Sequence, residues 1–223
     1  MQKEELAKYL DYTILKQDAK NSELMMLCEN AKKYNFKAVC ISPCYVKFCK
    51  EELANTDISI CTVIGFPHGL NTTKVKIFEG KDAIDNGADE LDIVINNSYT
   101  KSEQFELIEE ELKEFCKEIK LYKSNIIIKV IIETCLLTDD EKIILAKIVK
   151  NSGADFVKTS TGFSKGGATI EDIKLLRTAV GPDFSIKASG GIRDYNVATH
   201  MIGAGANRLG VSAAVEIMEG CIN

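Results

Sequence analysis

Short apolar runs alternate along the chain with longer amphipathic stretches, eight times over. The runs fall at Tyr9–Leu15, Lys37–Ser42, Ile58–Gly65, Glu90–Asn96, Asn125–Thr134, Ala154–Thr161, Phe184–Ser189 and Asn207–Ser212. Their lengths suit strands, and the stretches between them suit helices, as at Ser22–Tyr34, Thr73–Asn86, Ser102–Tyr122, Thr138–Asn151 and Thr169–Val180. Local signals agree. Thr138-Asp-Asp-Glu141 is a capping box at a helix start, and Asn-Gly-Ala (86–88) and Ser-Gly-Ala (152–154) mark helix ends just ahead of strands. Eight strand-then-helix units predict a parallel sheet clad in helices, and eight such units close into a (β/α)8 TIM barrel. A doubly wound open sheet is the alternative, but no GxGxxG follows the first run. No linker, charge block or repeat divides the chain, so residues 1–223 are expected to form a single barrel domain.

Strand parity says which side chains enter the barrel. One face of each strand meets helices and is aliphatic, while the other faces the interior. In Leu91-Asp-Ile-Val-Ile95 the outward set is Leu91, Ile93 and Ile95, so Glu90, Asp92 and Val94 point in. In Ile128–Glu133 the outward set is Ile128, Val130 and Ile132, which leaves Lys129, Ile131 and Glu133 inside. The same alternation turns Asp11, Cys40, Lys158 and Lys187 inward. Lys129 and Glu133 are expected to form an internal ion pair.

Charges inside a barrel cost free energy unless they are paired or functional. Two lysines facing an aspartate suggest amine catalysis. Only a neutral amine attacks a carbonyl, and an ordinary lysine, with a pKa near 10.4, is roughly 0.04% neutral at pH 7. Desolvation and a second nearby cation both favour the neutral form, and Lys158 and Lys187 can supply both for one another. The alternative is that each lysine pairs with a carboxylate only to hold the barrel together.

Composition narrows the class without choosing a function. The chain has 223 residues, 45% of them hydrophobic and 27% charged, as in a globular protein with a sizeable core. No apolar run nears the ~18 residues of a membrane span, and the start MQKEELAKYL is too charged for a secretory signal. A cytoplasmic protein is expected. The net charge of -5 argues against a nucleic-acid partner. Eight cysteines without a CxxC, and two histidines as far apart as His68 and His200, argue against a metal site and for reduced thiols.

Glycines supply a second candidate site. Gly190-Gly191 follows the seventh run, Gly210-Val-Ser212 ends the eighth, and Gly162-Phe-Ser-Lys-Gly-Gly167, with Lys165, follows the sixth. In a barrel these loops are neighbours, and phosphate often binds there through backbone N–H groups. The alternative is that the glycines only make tight turns.

Six segments together have a known look: Val63-Ile-Gly-Phe-Pro67, Gly87-Ala-Asp-Glu-Leu-Asp-Ile-Val-Ile-Asn96, Lys129-Val-Ile-Ile-Glu-Thr134, Phe156-Val-Lys-Thr-Ser-Thr-Gly-Phe163, Ile186-Lys-Ala-Ser-Gly-Gly-Ile-Arg193 and Gly210-Val-Ser212. In that order, across nearly the whole chain, they resemble the deoxyribose-phosphate aldolase family of class I aldolases. The resemblance implies reversible cleavage of 2-deoxy-D-ribose 5-phosphate to acetaldehyde and glyceraldehyde 3-phosphate. It implies that Lys158 forms the Schiff base, that Lys187 beside it lowers its pKa and joins proton transfer, and that Asp92 relays protons through a water. Asp11 and Thr13 are expected to hydrogen-bond the substrate or the lysine network, and Cys40 either to lie near the substrate or to be a buried, inert thiol. Thr161, Gly162, Lys165, Gly190, Gly191, Gly210 and Ser212 are expected to bind it. The protonated imine is the electron sink, so no metal or organic cofactor is expected. The partners are a phosphosugar and aldehydes, with no nucleic acid or membrane, and the chain is expected to form a homo-oligomer, a dimer first.

Two departures stand out. Some family members place a lysine directly after the KTSTG glycine, where this chain has Phe163. Family members often end in a tail with a terminal tyrosine, whereas this chain reads Gly220-Cys-Ile-Asn223. Slower turnover, or another group in the tyrosine's place, is expected. His68, in Phe66-Pro-His-Gly69, is expected at the barrel mouth as an ordinary loop residue. Two other functions stay open: a non-catalytic phosphosugar-binding barrel, and a related Schiff-base aldolase with a different acceptor.

Overall fold

The computed structural model describes residues 1–221. Ile222 and Asn223, the end of the tail discussed above, lie outside them. In chain order the elements are α1 (Lys3–Ala7), β1 (Leu10–Ile14), α2 (Asn21–Tyr34), β2 (Ala38–Ile41), α3 (Val46–Glu52), β3 (Ser59–Ile64), α4 (Thr73–Asp85), β4 (Glu90–Val94), α5 (Asn97–Lys101), α6 (Phe105–Tyr122), β5 (Ile127–Ile131), α7 (Asp139–Asn151), β6 (Phe156–Lys158), α8 (Ile170–Val180), β7 (Ser185–Ser189), α9 (Tyr195–Gly203), β8 (Arg208–Val211) and α10 (Ala214–Glu219). All eight strands are parallel and follow one another around a closed barrel, with β8 bonded back to β1. The (β/α)8 barrel is therefore the fold, and the open-sheet alternative falls.

Two separate apolar clusters follow from strand parity. The large one lies between barrel and helices and takes Val39, Leu91, Ile93, Ile128, Val130, Val157, Ile186 and Leu209 from the outward positions. The small one lies inside the barrel and consists of Ala38, Cys40, Cys61 and Val63. Helices present matching stripes. In α6 the positions Ile108, Leu112, Phe115 and Ile119 recur every three to four residues and are all buried. Each such side chain contributes about 1.5–3 kcal/mol when fully buried. Gly80 lets α4 approach this stripe, since a Cβ there would lie 2.8 Å from Ile119 Cδ1.

Several boundaries differ from those expected. The helix drawn over Ser102–Tyr122 begins at Phe105 and is preceded by the separate short α5, with Glu103 at φ 55° between them. The capping box at Thr138 is present, with Thr138 Oγ1 accepting the Glu141 N–H. Strand β6 is only three residues long, although Thr159 still donates its N–H to the Lys187 carbonyl of β7 at 3.1 Å. The N-terminal α1, which no apolar run announced, is short and buries only Leu6 and Ala7. Among the described residues no helix is long and apolar enough to cross a membrane.

Register matters most for the site. Lys158 on β6 lies directly beside Lys187 on β7, and Asp92 on β4 lies beside Lys129 on β5. Cys40 on β2 lies beside Cys61 on β3. A ring of inward positions thus gathers the barrel's charges, with Lys129 two ladder positions before Ile131, the partner of Lys158.

Candidate active site

Asp92 is the hub of this ring. Its Oδ2 accepts hydrogen bonds from Lys158 Nζ at 2.8 Å and Lys187 Nζ at 2.7 Å. Its Oδ1 accepts from Lys129 Nζ at 2.8 Å and from the Cys61 thiol at 3.2 Å. Lys187 Nζ also lies 2.6 Å from Asp11 Oδ2, and Lys129 Nζ 2.6 Å from Glu90 Oε2. Arg208 closes the lower side, binding Asp11 and, at 3.0 Å, Glu90. All of these groups are buried.

Burial alone would neutralise such groups, so the shifts show what the partners do. Burial pushes the Asp92 carboxyl up, but the ammonium groups of Lys129, Lys158 and Lys187 outweigh it and hold Asp92 well below the carboxylate range. Asp11 is likewise held low, with burial opposed by Arg208 and Lys187. Burial disfavours charge on Lys187 and Lys129, yet the facing carboxylates hold both ammoniums above the ordinary lysine range. Formal charges in the cage cancel without Lys158. Asp11, Glu90 and Asp92 supply three negatives, and Lys129, Lys187 and Arg208 supply three positives.

Arg208 has a testable structural role. Removing one member of a buried ion cluster leaves its partners charged and dry, a loss of about 3–5 kcal/mol. Arg208→Met is expected to lose that much in urea unfolding at pH 7. Asp11 is held low in the folded state, so its contribution is present above about pH 4 and lost as pH falls. The gap between wild type and variant should therefore hold from pH 8 to about 4 and narrow below pH 4. A gap that persists unchanged down to about pH 2 would speak for lost packing instead.

The expected Lys129–Glu133 pair does not form. Lys129 is taken up by Glu90 and Asp92, while Glu133 sits above the ring in the left-handed region, φ 59°. Its carboxylate accepts from Thr161 through both the backbone N–H, at 3.2 Å, and the hydroxyl. Thr161 Oγ1 in turn accepts the Phe163 N–H at 3.1 Å. Glu133 therefore fixes the loop after β6 and leaves the lysines alone.

Above the ring opens a cavity of about 440 Å³. Lys158 lies on its wall, as do Thr13, Thr161 and Gly162, and Gly190, Gly191, Gly210 and Ser212 form another part of the lining. Two expected substrate contacts, Cys40 and Lys165, lie outside this lining, and Asp11 takes the lysine-network side of its expectation. Asp11 is below, bound to Arg208 and Lys187. Cys40 is buried in the small inner cluster beside Cys61. Lys165 is exposed and outside the cavity lining, because the β6 loop carries it outward. His68 is exposed in the loop after β3. Sequence reasoning missed Arg193 and Lys16, both of which line the cavity. Arg193 closes the quoted GGIR segment, and a cation two residues after a glycine pair was the available signal.

The glycines differ in kind. A Cβ on Gly190 would lie 2.9 Å from Gly167 Cα, so that position is fixed by two loops touching. At Gly191 a Cβ would meet no protein atom within 4 Å, and φ is +81°. Gly191 is therefore open toward whatever enters.

Among the described residues two clusters have donor atoms within 4.8 Å of one another, as a metal would require: Cys40, Cys61 and Asp92, and Asp11, Cys61 and Glu90. Their carboxylates already bind Lys129, Lys187 and Arg208. A divalent ion would have to displace these cations, so the donor set does not fit one.

The DeoC/LacD family aldolase model matches residues 6–217. A deoxyribose-phosphate aldolase of Lactococcus lactis subsp. lactis is 53% identical over 216 residues, covering 97% of this chain and 96% of the relative. One from Caldanaerobacter subterraneus subsp. tengcongensis is 50% identical over 214 residues, covering 96% and 92%. Among solved structures, a putative deoxyribose-phosphate aldolase from Coccidioides immitis superposes with a TM-score of 0.92 at 37% identity, covering 98% of this chain and 86% of that one. The deoxyribose phosphate aldolase of Aeropyrum pernix, described as a tetramer, gives a TM-score of 0.90 at 32% identity, covering 98% and 91%.

Proposed function

The chain belongs to the DeoC/LacD family of aldolases, and from that membership we propose how its residues carry the reaction. It is a lyase that cleaves deoxyribose phosphate by a retro-aldol route. The products of that cleavage are acetaldehyde and glyceraldehyde 3-phosphate.

Lys158 Nζ attacks the C1 aldehyde, loses a proton and forms a carbinolamine. The hydroxyl leaves as water, taking a proton from the Lys187–Asp92 pair, and a protonated imine remains. When the C2–C3 bond breaks, its electron pair flows to the imine nitrogen and the C3 hydroxyl gives up its proton. Glyceraldehyde 3-phosphate departs. The enamine is then protonated at C2, and water releases acetaldehyde from Lys158.

One observation carries this assignment: Lys158 and Lys187 share Asp92 Oδ2, and of the three inward lysines only Lys158 lines the cavity. The cage is neutral without Lys158, so its nitrogen is not needed as a counter-ion and can act as an amine. Borohydride reduction in the presence of substrate, followed by peptide mass spectrometry, tests it. The expected adduct is on Lys158. No adduct on any lysine would point to the non-catalytic alternative.

The phosphate is proposed to lie against Gly190, Gly191, Gly210 and Ser212, where backbone N–H groups can meet it, with Arg193 nearby as a cation. Gly191→Val, and to a smaller degree Gly191→Ala, should raise KM for the phosphorylated sugar far more than for 2-deoxyribose. At φ +81° both variants are strained, so a thermal melt belongs beside the kinetics. Equal losses on the two sugars would move the phosphate elsewhere.

All eight cysteines are free, which suits a reducing cytoplasm. The tetrameric relative supports assembly of the chain into a homo-oligomer, for which a dimer is the smallest symmetric form.

A further inference from the structure

Phe163 occupies the position where some relatives carry a lysine, and although it lines the cavity its ring carries no charge. It packs edge-on against Phe66 from the loop after β3, with centroids 5.3 Å apart and planes at 86°. Lys165 lies outside the cavity lining. Neither β6-loop position therefore offers the phosphate a cation.

We propose that Lys16, held at the cavity mouth by Glu23, is a side-chain cation that recognises the phosphate dianion and sets the preference for phosphorylated sugars. This assignment rests on the phosphate position given above. Topology brings Lys16 to that end of the cavity. Strand β1 is bonded to β8 through Asp11 and Gly210, and β8 to β7 through Gly210 and Ser189. The loop after β1 thus flanks the loops that hold Gly191 and Ser212, and Lys16 and Glu23 line the same cavity as both.

Lys16 Nζ lies 2.7 Å from Glu23 Oε1 and 3.9 Å from Asp18 Oδ1. Glu23 is the less mobile partner. Its other oxygen accepts the Lys20 N–H at 2.9 Å, which ties the carboxylate to the first turn of α2. The shared hydrogen bond holds the Lys16 ammonium above its ordinary range and the Glu23 carboxyl below, so both are charged at neutral pH. Lys16 has a flexible stem and three donors and can turn to an arriving phosphate, whereas Glu23 stays and repels it. The pair combines an attraction with a standing cost. An unphosphorylated sugar feels little of either.

The two charges should therefore act with opposite signs. The experiment is steady-state kinetics on 2-deoxyribose 5-phosphate and 2-deoxyribose with Lys16→Gln, Glu23→Gln, the double variant and Lys16→Arg. The readout is the KM for 2-deoxyribose divided by the KM for its phosphate. Lys16→Gln should lower this ratio about five- to tenfold, and Glu23→Gln should raise it about two- to fivefold, as expected for half-exposed charges. The double variant should return toward wild type, and Lys16→Arg should keep most of the preference. In about 1 M salt the shifts should shrink, because the Debye length there is only about 3 Å. Glutamine at position 23 keeps an acceptor for the Lys20 N–H, so the start of α2 is preserved. Single variants that move the ratio in the same direction, or leave it in place while Gly191→Val shifts it, would overturn the role of Lys16 and leave the phosphate position standing. If Gly191→Val also fails to shift it, the phosphate position itself falls, and Lys16 with it.

Discussion

Lys158→Ala should abolish both imine trapping and cleavage, a loss of at least about 10⁴-fold, because it removes the covalent step and no neighbour can replace it. Three lysines face into the barrel. Lys187 is gripped by Asp11 and Asp92, and Lys129 by Glu90 and Asp92. Both are held as ammoniums, which have no lone pair to attack a carbonyl. Lys158 has one carboxylate, shared with Lys187, and only it among the three opens to the cavity. Lys158→Arg should fail equally, since a guanidinium stays protonated and forms no imine. The decisive measurement is the site of the reduced adduct in wild type. An adduct on Lys187 would reverse the assignment of the two residues.

Much of this arrangement was legible in the chain because a barrel strand has a period of two. Leu91, Ile93 and Ile95 declared their face, and Glu90, Asp92 and Val94 had to take the other. The same alternation was available for Asn207–Ser212, where Leu209 and Val211 face out and Arg208 must face in. Its signal is masked by the glycines of that run, whose pattern points to phosphate. Strand β3 gave a weaker signal. Ile60 and Cys61 are both apolar enough for either face, so Cys61, which hydrogen-bonds Asp92, was not separable from its neighbours.

Pairing was harder to read than facing. Lys129 and Glu133 share a parity, and nothing local shows that the backbone turns into the left-handed region at Glu133 and lifts its carboxylate to Thr161. Likewise Lys165 has the right charge in the right loop but points outward, while Lys16, in a loop with no glycine signature, lines the cavity. Loop side chains obey no period, so their direction appears only with the fold.

Lys187→Leu tests whether the cage sets the charge of the nucleophile. Burial disfavours the Lys187 ammonium, but Asp11 and Asp92 outweigh it and hold it protonated throughout the working pH range. With it in place, three negative and three positive groups balance without Lys158, so the cage does not depend on Lys158 for its counter-charge. Removing it leaves one uncompensated negative charge beside Asp92 Oδ2, and Lys158, 2.8 Å from that oxygen, becomes the counter-ion. An ammonium at Lys158 cannot attack. The rate at pH 7 should therefore fall by about 100-fold or more, which also includes the lost proton donor. The sign of the pH effect follows: an amine pressed into service as a cation gives up its proton only at higher pH, so the rising limb of the pH–rate profile should move alkaline by about one unit or more. Part of the lost rate should return as pH rises. The profile of kcat/KM between pH 6 and 10, with circular dichroism to check folding, is the measurement. A uniform loss with an unshifted limb would mean that Lys187 supports the barrel without governing the charge on Lys158.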